Sequence, residues 1–122
     1  MNEDELKKRT KRFALRALKL VDALPRTASG RTVSSQLADS ATSVGANYRS
    51  ACRGRSRAEF ISKLGIVEEE IDEAAYWLEI VMEGGMLKAA LVEPLHKEAI
   101  ELTKIMCSSR ITAIQNTPKK RP

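Results

Sequence analysis

Phe60, Leu64, Val67, Ile71, Ala74, Leu78 and Val81 recur along the chain at alternating steps of four and three. That spacing draws an apolar seam with a period of about 3.5 residues, the pattern of helices packed side by side at a shallow angle. The segment opens on Ser56-Arg57-Ala58-Glu59, which fits a capping box, and closes on Gly84-Gly85. Glycine there can adopt the left-handed conformation that stops a helix. The pattern predicts a helix over 57–83, about 40 Å long at ~1.5 Å per residue.

Three further segments carry helical spacing. The first predicted helix runs from near Asp4 to Leu24, with Leu6, Phe13, Ala17, Leu20, Val21 and Leu24 facing inward. Glu3, Asp4 and Glu5 stand where the helix dipole favours anions, and Pro25 ends the run because the residue before proline avoids the α region. Residues 25–32 read as a polar turn. Thr32 then caps a second helix reaching about Arg53, with Val33, Leu37, Ala41, Val44, Tyr48 and Cys52 as its stripe. The rest of that helix is small-sided. Gly45 in its interior costs about 1 kcal/mol relative to alanine, so it marks a close approach of two helices. Asn47 in mid-helix predicts a specific hydrogen bond. Residues 86–92 connect to a fourth helix that Glu93-Pro94 opens, with proline in the tolerated first turn, and that extends to about Gln115. Leu95, Ala99, Leu102, Met106 and Ala113 form one stripe on it, and Ile100, Cys107, Ile111 and Ile114 a second. A helix apolar on two sides has two partners, so the second stripe predicts a contact between subunits.

Helices joined by short turns make an all-α, up-down-up-down four-helix bundle. Residues 1–116 are expected to form one domain, and 117–122 a flexible basic tail. Composition agrees. Of 122 residues only five are aromatic (one Trp, two Tyr, two Phe), so the core must be built from Leu, Ile, Val and Ala. No stretch approaches the roughly 18 apolar residues of a membrane span, and the opening residues hold no apolar run of the kind a leader needs. The expectation is a soluble cytoplasmic protein that does not engage a membrane. Cys52 and Cys107 lie far apart, without the paired spacing of a zinc site, and read as reduced packing residues.

Charge changes the picture. Residues 1–57 hold 13 Lys/Arg against 5 Asp/Glu, whereas residues 58–122 hold 8 against 11. The positive field therefore belongs to the first half. Arg49, Arg53, Arg55 and Arg57 cluster around the turn between the second and third helices, and Lys7, Lys8, Arg9, Lys11 and Arg12 face outward on the first helix. Arginine grips phosphate bidentately, and the third helix contributes backbone donors at its N-terminus, so the cluster forms a candidate anion site for nucleic-acid backbones. The alternative is structural: the same arginines neutralise the acidic third helix, within the chain or between subunits. Some of Glu68, Glu69, Glu70, Asp72, Glu73, Glu79 and Glu83 are expected to pair with Arg49 or Lys63. Without interleaved aromatics the cluster suits structured or duplex backbones rather than stacked single strands.

Enzymatic chemistry lacks its parts. Glu93-Pro94-Leu95-His96 matches the Glu-x-x-His spacing of di-metal bundles, but the chain has a single histidine and Glu93 stands at the helix mouth. No metal site is expected, and His96 reads as a surface or interface residue. No nucleophile elbow, oxyanion loop or Gly-rich phosphate loop is present, so neither catalytic residues nor a cofactor are expected.

The segment Asn47-Tyr48-Arg49-Ser50-Ala51-Cys52-Arg53-Gly54-Arg55-Ser56, followed by Glu59-Phe60, Lys63-Leu64, Glu69-Glu70-Ile71-Asp72-Glu73 and Tyr76-Trp77-Leu78-Glu79, resembles the bacterial four-helix-bundle family also called the 23S rRNA intervening-sequence protein family. The resemblance runs from about Phe13 to Ala113. It implies a protomer that assembles into a ring-like homopentamer, with some members encoded within insertions in 23S rRNA genes. A related branch comprises the basic accessory variability proteins of diversity-generating retroelements, which engage reverse transcriptase and nucleic acid; this chain, at a net charge of +5, is less basic than that branch. Tyr76 and Trp77 match the family motif and read as packing residues at a subunit seam. The expected function is a non-enzymatic oligomer that binds structured RNA or DNA through phosphate contacts. A scaffold that holds a partner protein without binding nucleic acid is the alternative.

Overall fold

The computed structural model describes residues 1–118, so Lys119 to Pro122 of the expected basic tail lie outside the described residues. Four helices follow in order: α1 (Glu3–Ala23), α2 (Ala28–Cys52), α3 (Arg57–Glu83) and α4 (Ala89–Gln115). The turns between them, at 24–27, 53–56 and 84–88, are too short for anything but antiparallel neighbours. The result is the expected up-down-up-down bundle, in which α1 meets α4 over less length than any other neighbouring pair.

The 3.5-residue seam of α3 is buried from Leu64 through Val81, with Phe60 half-buried at its start. Against it pack Val33, Leu37, Ala41, Val44 and Tyr48 of α2, Leu95, Ala99, Leu102 and Met106 of α4, and Leu6, Phe13 and Ala17 of α1. Thr10 completes the α1 stripe between Leu6 and Phe13. It is fully buried, and its hydroxyl donates to the carbonyls of Leu6 (2.8 Å) and Lys7 (3.1 Å), so a polar group sits in the core without an unmet hydrogen bond.

Gly45 lies against that threonine. A Cβ added there would stand 3.3 Å from Thr10 Oγ1, so the glycine marks the close approach of α1 and α2. Asn47 Nδ2 donates to the Ser43 carbonyl (2.8 Å), one turn back on its own helix. The α3 cap differs slightly from the reciprocal box. Ser56 Oγ accepts from Glu59 N (3.1 Å), but the Glu59 carboxylate reaches past Ser56 to accept from Arg55 N (3.1 Å). The helix stops as expected, with Gly85 at φ +67° and Met86 N donating back to the Val81 carbonyl.

Two helix starts move upstream. α2 begins at Ala28, not after Thr32: Thr27 is the cap, and its Oγ1 accepts from Gly30 N (3.1 Å). Thr32 lies inside the helix and donates from Oγ1 to the Ala28 carbonyl (3.2 Å). α4 begins at Ala89, five residues before Pro94. Val92 is fully buried and leads Leu95, Ala99, Leu102 and Met106 at steps of three and four, so the helix must already be formed ahead of the proline to bring Val92 inward. Pro94 removes one N–H close to the helix start and is exposed, which limits the disruption a proline brings to a helix interior. The isoleucines of the second α4 stripe stay open in the protomer: Ile100, Ile111 and Ile114 are 41%, 45% and 47% exposed.

Candidate nucleic-acid interface

Antiparallel packing sets the N-terminal end of α1 beside the C-terminal end of α2. The basic residues of both helices therefore meet although they are some forty positions apart in sequence. Lys7, Lys8 and Lys11 of α1 and Arg49 and Arg53 of α2 line one groove of about 240 Å³ that has no other lining residue. A second recess follows the same interhelical seam past Gly45, again with Lys7, Lys11 and Arg49 in its wall. Gly45 and the small residues around it let the two backbones approach, so the long cationic side chains form the walls. Lys7 is shared with Glu3 through an exposed i,i+4 pair at 3.4 Å, a contact worth about 0–1 kcal/mol. Among the described residues, none of Arg49, Arg53, Arg55 and Arg57 makes an ion pair.

The remaining candidates stand elsewhere. Arg9 is turned toward α4, where its Nε and Nη2 both donate to the Glu98 carboxylate at 2.7 Å. That bidentate pair holds the Glu98 carboxyl below its ordinary value against the opposing effect of burial. Arg9 thus joins α1 to α4 and is not in the groove. Arg12 is exposed outside the groove lining, and its charge also lowers Glu98. Arg55 and Arg57 border a separate cleft at the bundle end, and Arg57 donates to the Asn116 carbonyl at the end of α4.

Among the described residues, two acids of the α3 run find partners, and these are not Arg49 or Lys63. Glu68 is gripped by Arg110 through two hydrogen bonds, and Glu79 meets His96 at 2.9 Å, both contacts joining α3 to α4. Lys63 instead donates to Ser50 Oγ (2.6 Å). Glu70 is pushed above its ordinary value by burial, then by Glu73, Glu69 and Asp39, which together form an acidic patch on the α2–α3 face. Within the described protomer the groove arginines are therefore not consumed in neutralising the acidic helix. Burial likewise raises the Cys52 thiol, with Glu3 acting in the same direction. Such a cysteine stays protonated and is a weak nucleophile. Among the described residues no group of His, Cys, Asp and Glu could hold a metal ion, and no helix is long and apolar enough to cross a membrane.

The model of the 23S rRNA-intervening sequence protein family matches residues 2–108. The chain belongs to this family. It is also similar to a crystal structure from Bacteroides thetaiotaomicron described as a protein of unknown function from the S23 ribosomal protein family. The two are 32% identical over 90% of this chain and 98% of that one, with a TM-score of 0.83. No curated protein matches the chain.

The residues expected at a subunit seam of this family member divide in the protomer. Tyr76 is 53% exposed and meets Trp77 edge-to-face, with ring centroids 5.1 Å apart. Trp77 is half-buried against the protomer's own core, and its Nε1 is sealed from solvent without an acceptor among the described residues. Cys107 is half-buried between the exposed isoleucines of α4. Lys8, Lys11, Arg49 and Arg53 were legible as candidates from charge alone. Glu98, which diverts Arg9, could have been found only by matching α1 and α4 face to face.

Proposed function

We propose that this protein is a non-enzymatic helical bundle that binds structured nucleic acid, RNA in the first place, through its phosphate backbone. The observation that carries this reading is the α1–α2 groove, in which every lining residue is a cation. Its arginines spend no charge on carboxylates of the described chain. A groove without aromatics contacts phosphates and not bases, which suits duplex or folded backbones. The family description, with its reference to 23S rRNA, supports RNA over DNA.

Titrating nuclease-treated protein into a labelled, folded rRNA fragment at several salt concentrations tests the proposal. With three to five phosphates neutralised, log K should fall against log salt with a slope of about −3 to −4.5. Replacing Arg49 and Arg53 together by alanine should weaken binding about tenfold or more and flatten the slope by about 2. Both positions are exposed, so the bundle should persist. Unchanged affinity and slope in that variant would sink the assignment.

The bare stripe of Ile100, Ile111 and Ile114 favours a second property, assembly of protomers through α4. A ring of five is the form the family resemblance implies. Sedimentation at micromolar concentration should give an oligomer, and a monomer would refute it. An oligomer that ignores RNA while retaining a protein in pull-downs would shift the function to a scaffold.

A further inference from the structure

The basic groove is not the only recess at this end of the bundle. A cleft of about 780 Å³ opens among the ends of all four helices, beside the 53–56 turn. Its size falls within the roughly 300–1,000 Å³ of clefts that take small organic ligands. The groove, at about 240 Å³, is smaller than that range and holds charges only.

The cleft lining combines four chemistries. Arg55 brings a guanidinium that makes no hydrogen bond or ion pair among the described residues, and Arg57 stands at the rim with its fork oriented by the Asn116 carbonyl. Phe60 is the one aromatic in the wall, held half-buried at the head of the α3 seam. Ser109 and Thr112 add hydroxyls from the last turns of α4. On the α1 side Glu3, whose carboxylate also meets Lys7 at 3.4 Å, lines the cleft. That charge repels a second phosphate and accepts hydrogen bonds from sugar hydroxyls or an exocyclic amine. A ligand that suits all of these groups has one phosphate, a polar middle and a flat apolar body.

We infer that the end cleft binds a nucleoside monophosphate unit, with its phosphate on Arg55, its base against Phe60 and its sugar against the α4 hydroxyls. The unit can come from a free nucleotide or from an unpaired nucleotide of an RNA. This goes beyond the backbone-binding groove and does not depend on it, since the groove reads phosphates alone and the cleft requires the base as well.

Isothermal titration calorimetry of the full chain with adenosine monophosphate, adenosine and inorganic phosphate is the test. Adenosine monophosphate should bind, with adenosine and phosphate each at least about tenfold weaker, because neither satisfies both ends of the cleft. Arg55→Ala, in an exposed turn, should weaken the nucleotide about tenfold, and Phe60→Leu, which retains the apolar volume and removes the ring, by a similar factor. The Arg49→Ala, Arg53→Ala double variant should leave it unchanged, so failure of the groove and failure of the cleft give different results. Competition by a hairpin RNA with one unpaired 3′ nucleotide, and none by its blunt counterpart, assigns the cleft to RNA. Nucleotide binding without that competition assigns it to free nucleotides. The proposal is overturned by no binding at millimolar nucleotide, by phosphate alone binding as tightly, or by affinity that ignores both Arg55→Ala and Phe60→Leu.

Discussion

Gly30→Ala should destabilise the bundle by about 3 kcal/mol, although alanine is the better helix former by about 1 kcal/mol. Gly30 is the third residue of α2 and is buried where the chain turns out of α1. A Cβ built there would lie 1.9 Å from the Pro25 carbonyl oxygen and 3.2 Å from Thr27 Oγ1. The first atom belongs to backbone and cannot swing aside, and the second is the side-chain oxygen that caps α2, so moving it weakens the cap. The turn must open, which strains the Thr27 cap and shifts α1 against α2. In a thermal melt the variant should unfold about 10–15 °C below the parent. Gly65 is the control. It lies in mid-α3 with nothing within 4 Å of its would-be Cβ, so Gly65→Ala should stabilise by about 0.5–1 kcal/mol. If the two substitutions moved the melting temperature in the same direction, the tight α1–α2 turn would be disproved.

The Arg9–Glu98 pair should be worth about 2 kcal/mol at neutral pH, because both side chains are largely shielded and the contact is bidentate. Arg9→Ala leaves a half-buried carboxylate without its partner and loosens α1 from α4. Its melting temperature should fall by about 8 °C. The pH dependence has a definite sign. Arg9 lowers the Glu98 pKa in the folded state below the ordinary 4.5. The stabilisation is therefore complete above that ordinary value and is lost as pH falls through the lowered folded value. Parent and variant should differ most at pH 6–7 and converge on acidification below about pH 4. Glu70 acts with the opposite sign, since burial raises its pKa and its ionisation opposes folding. Because Glu70 is common to both proteins, the difference between the two curves isolates Glu98. Parallel curves down to pH 3 would contradict the assignment.

How much of this was legible without coordinates depended on how local the deciding force was. The α3 seam, its serine cap and its glycine stop are contained in neighbouring residues and are legible directly. So is the role of Gly45, since a glycine inside a helix has few reasons other than closeness. The start of α2 was not local. Thr27 and Thr32 are equally good caps, and the choice falls to Gly30 fitting under the Pro25 carbonyl. The start of α4 was set by burial of Val92, which outweighed the signal of Pro94. The groove was half legible. Antiparallel topology brings Lys7, Lys8 and Lys11 to Arg49 and Arg53, but only the facing of α1 on α4 shows that Arg9 leaves the set. Charge patterns state which residues are available, and helix rotation states which of them act together.

The light contact between α1 and α4 also bears on motion. α1 is a terminal helix held chiefly by α2, so we expect local unfolding to begin there. It supplies three of the five walls of the groove. Each time α1 lifts, the site is dismantled and α2 retains only its two arginines. A polyanion bound in the groove as proposed would bridge both helices and close that route, so it should act as a clasp that slows amide exchange along α1 while leaving the α3 seam untouched.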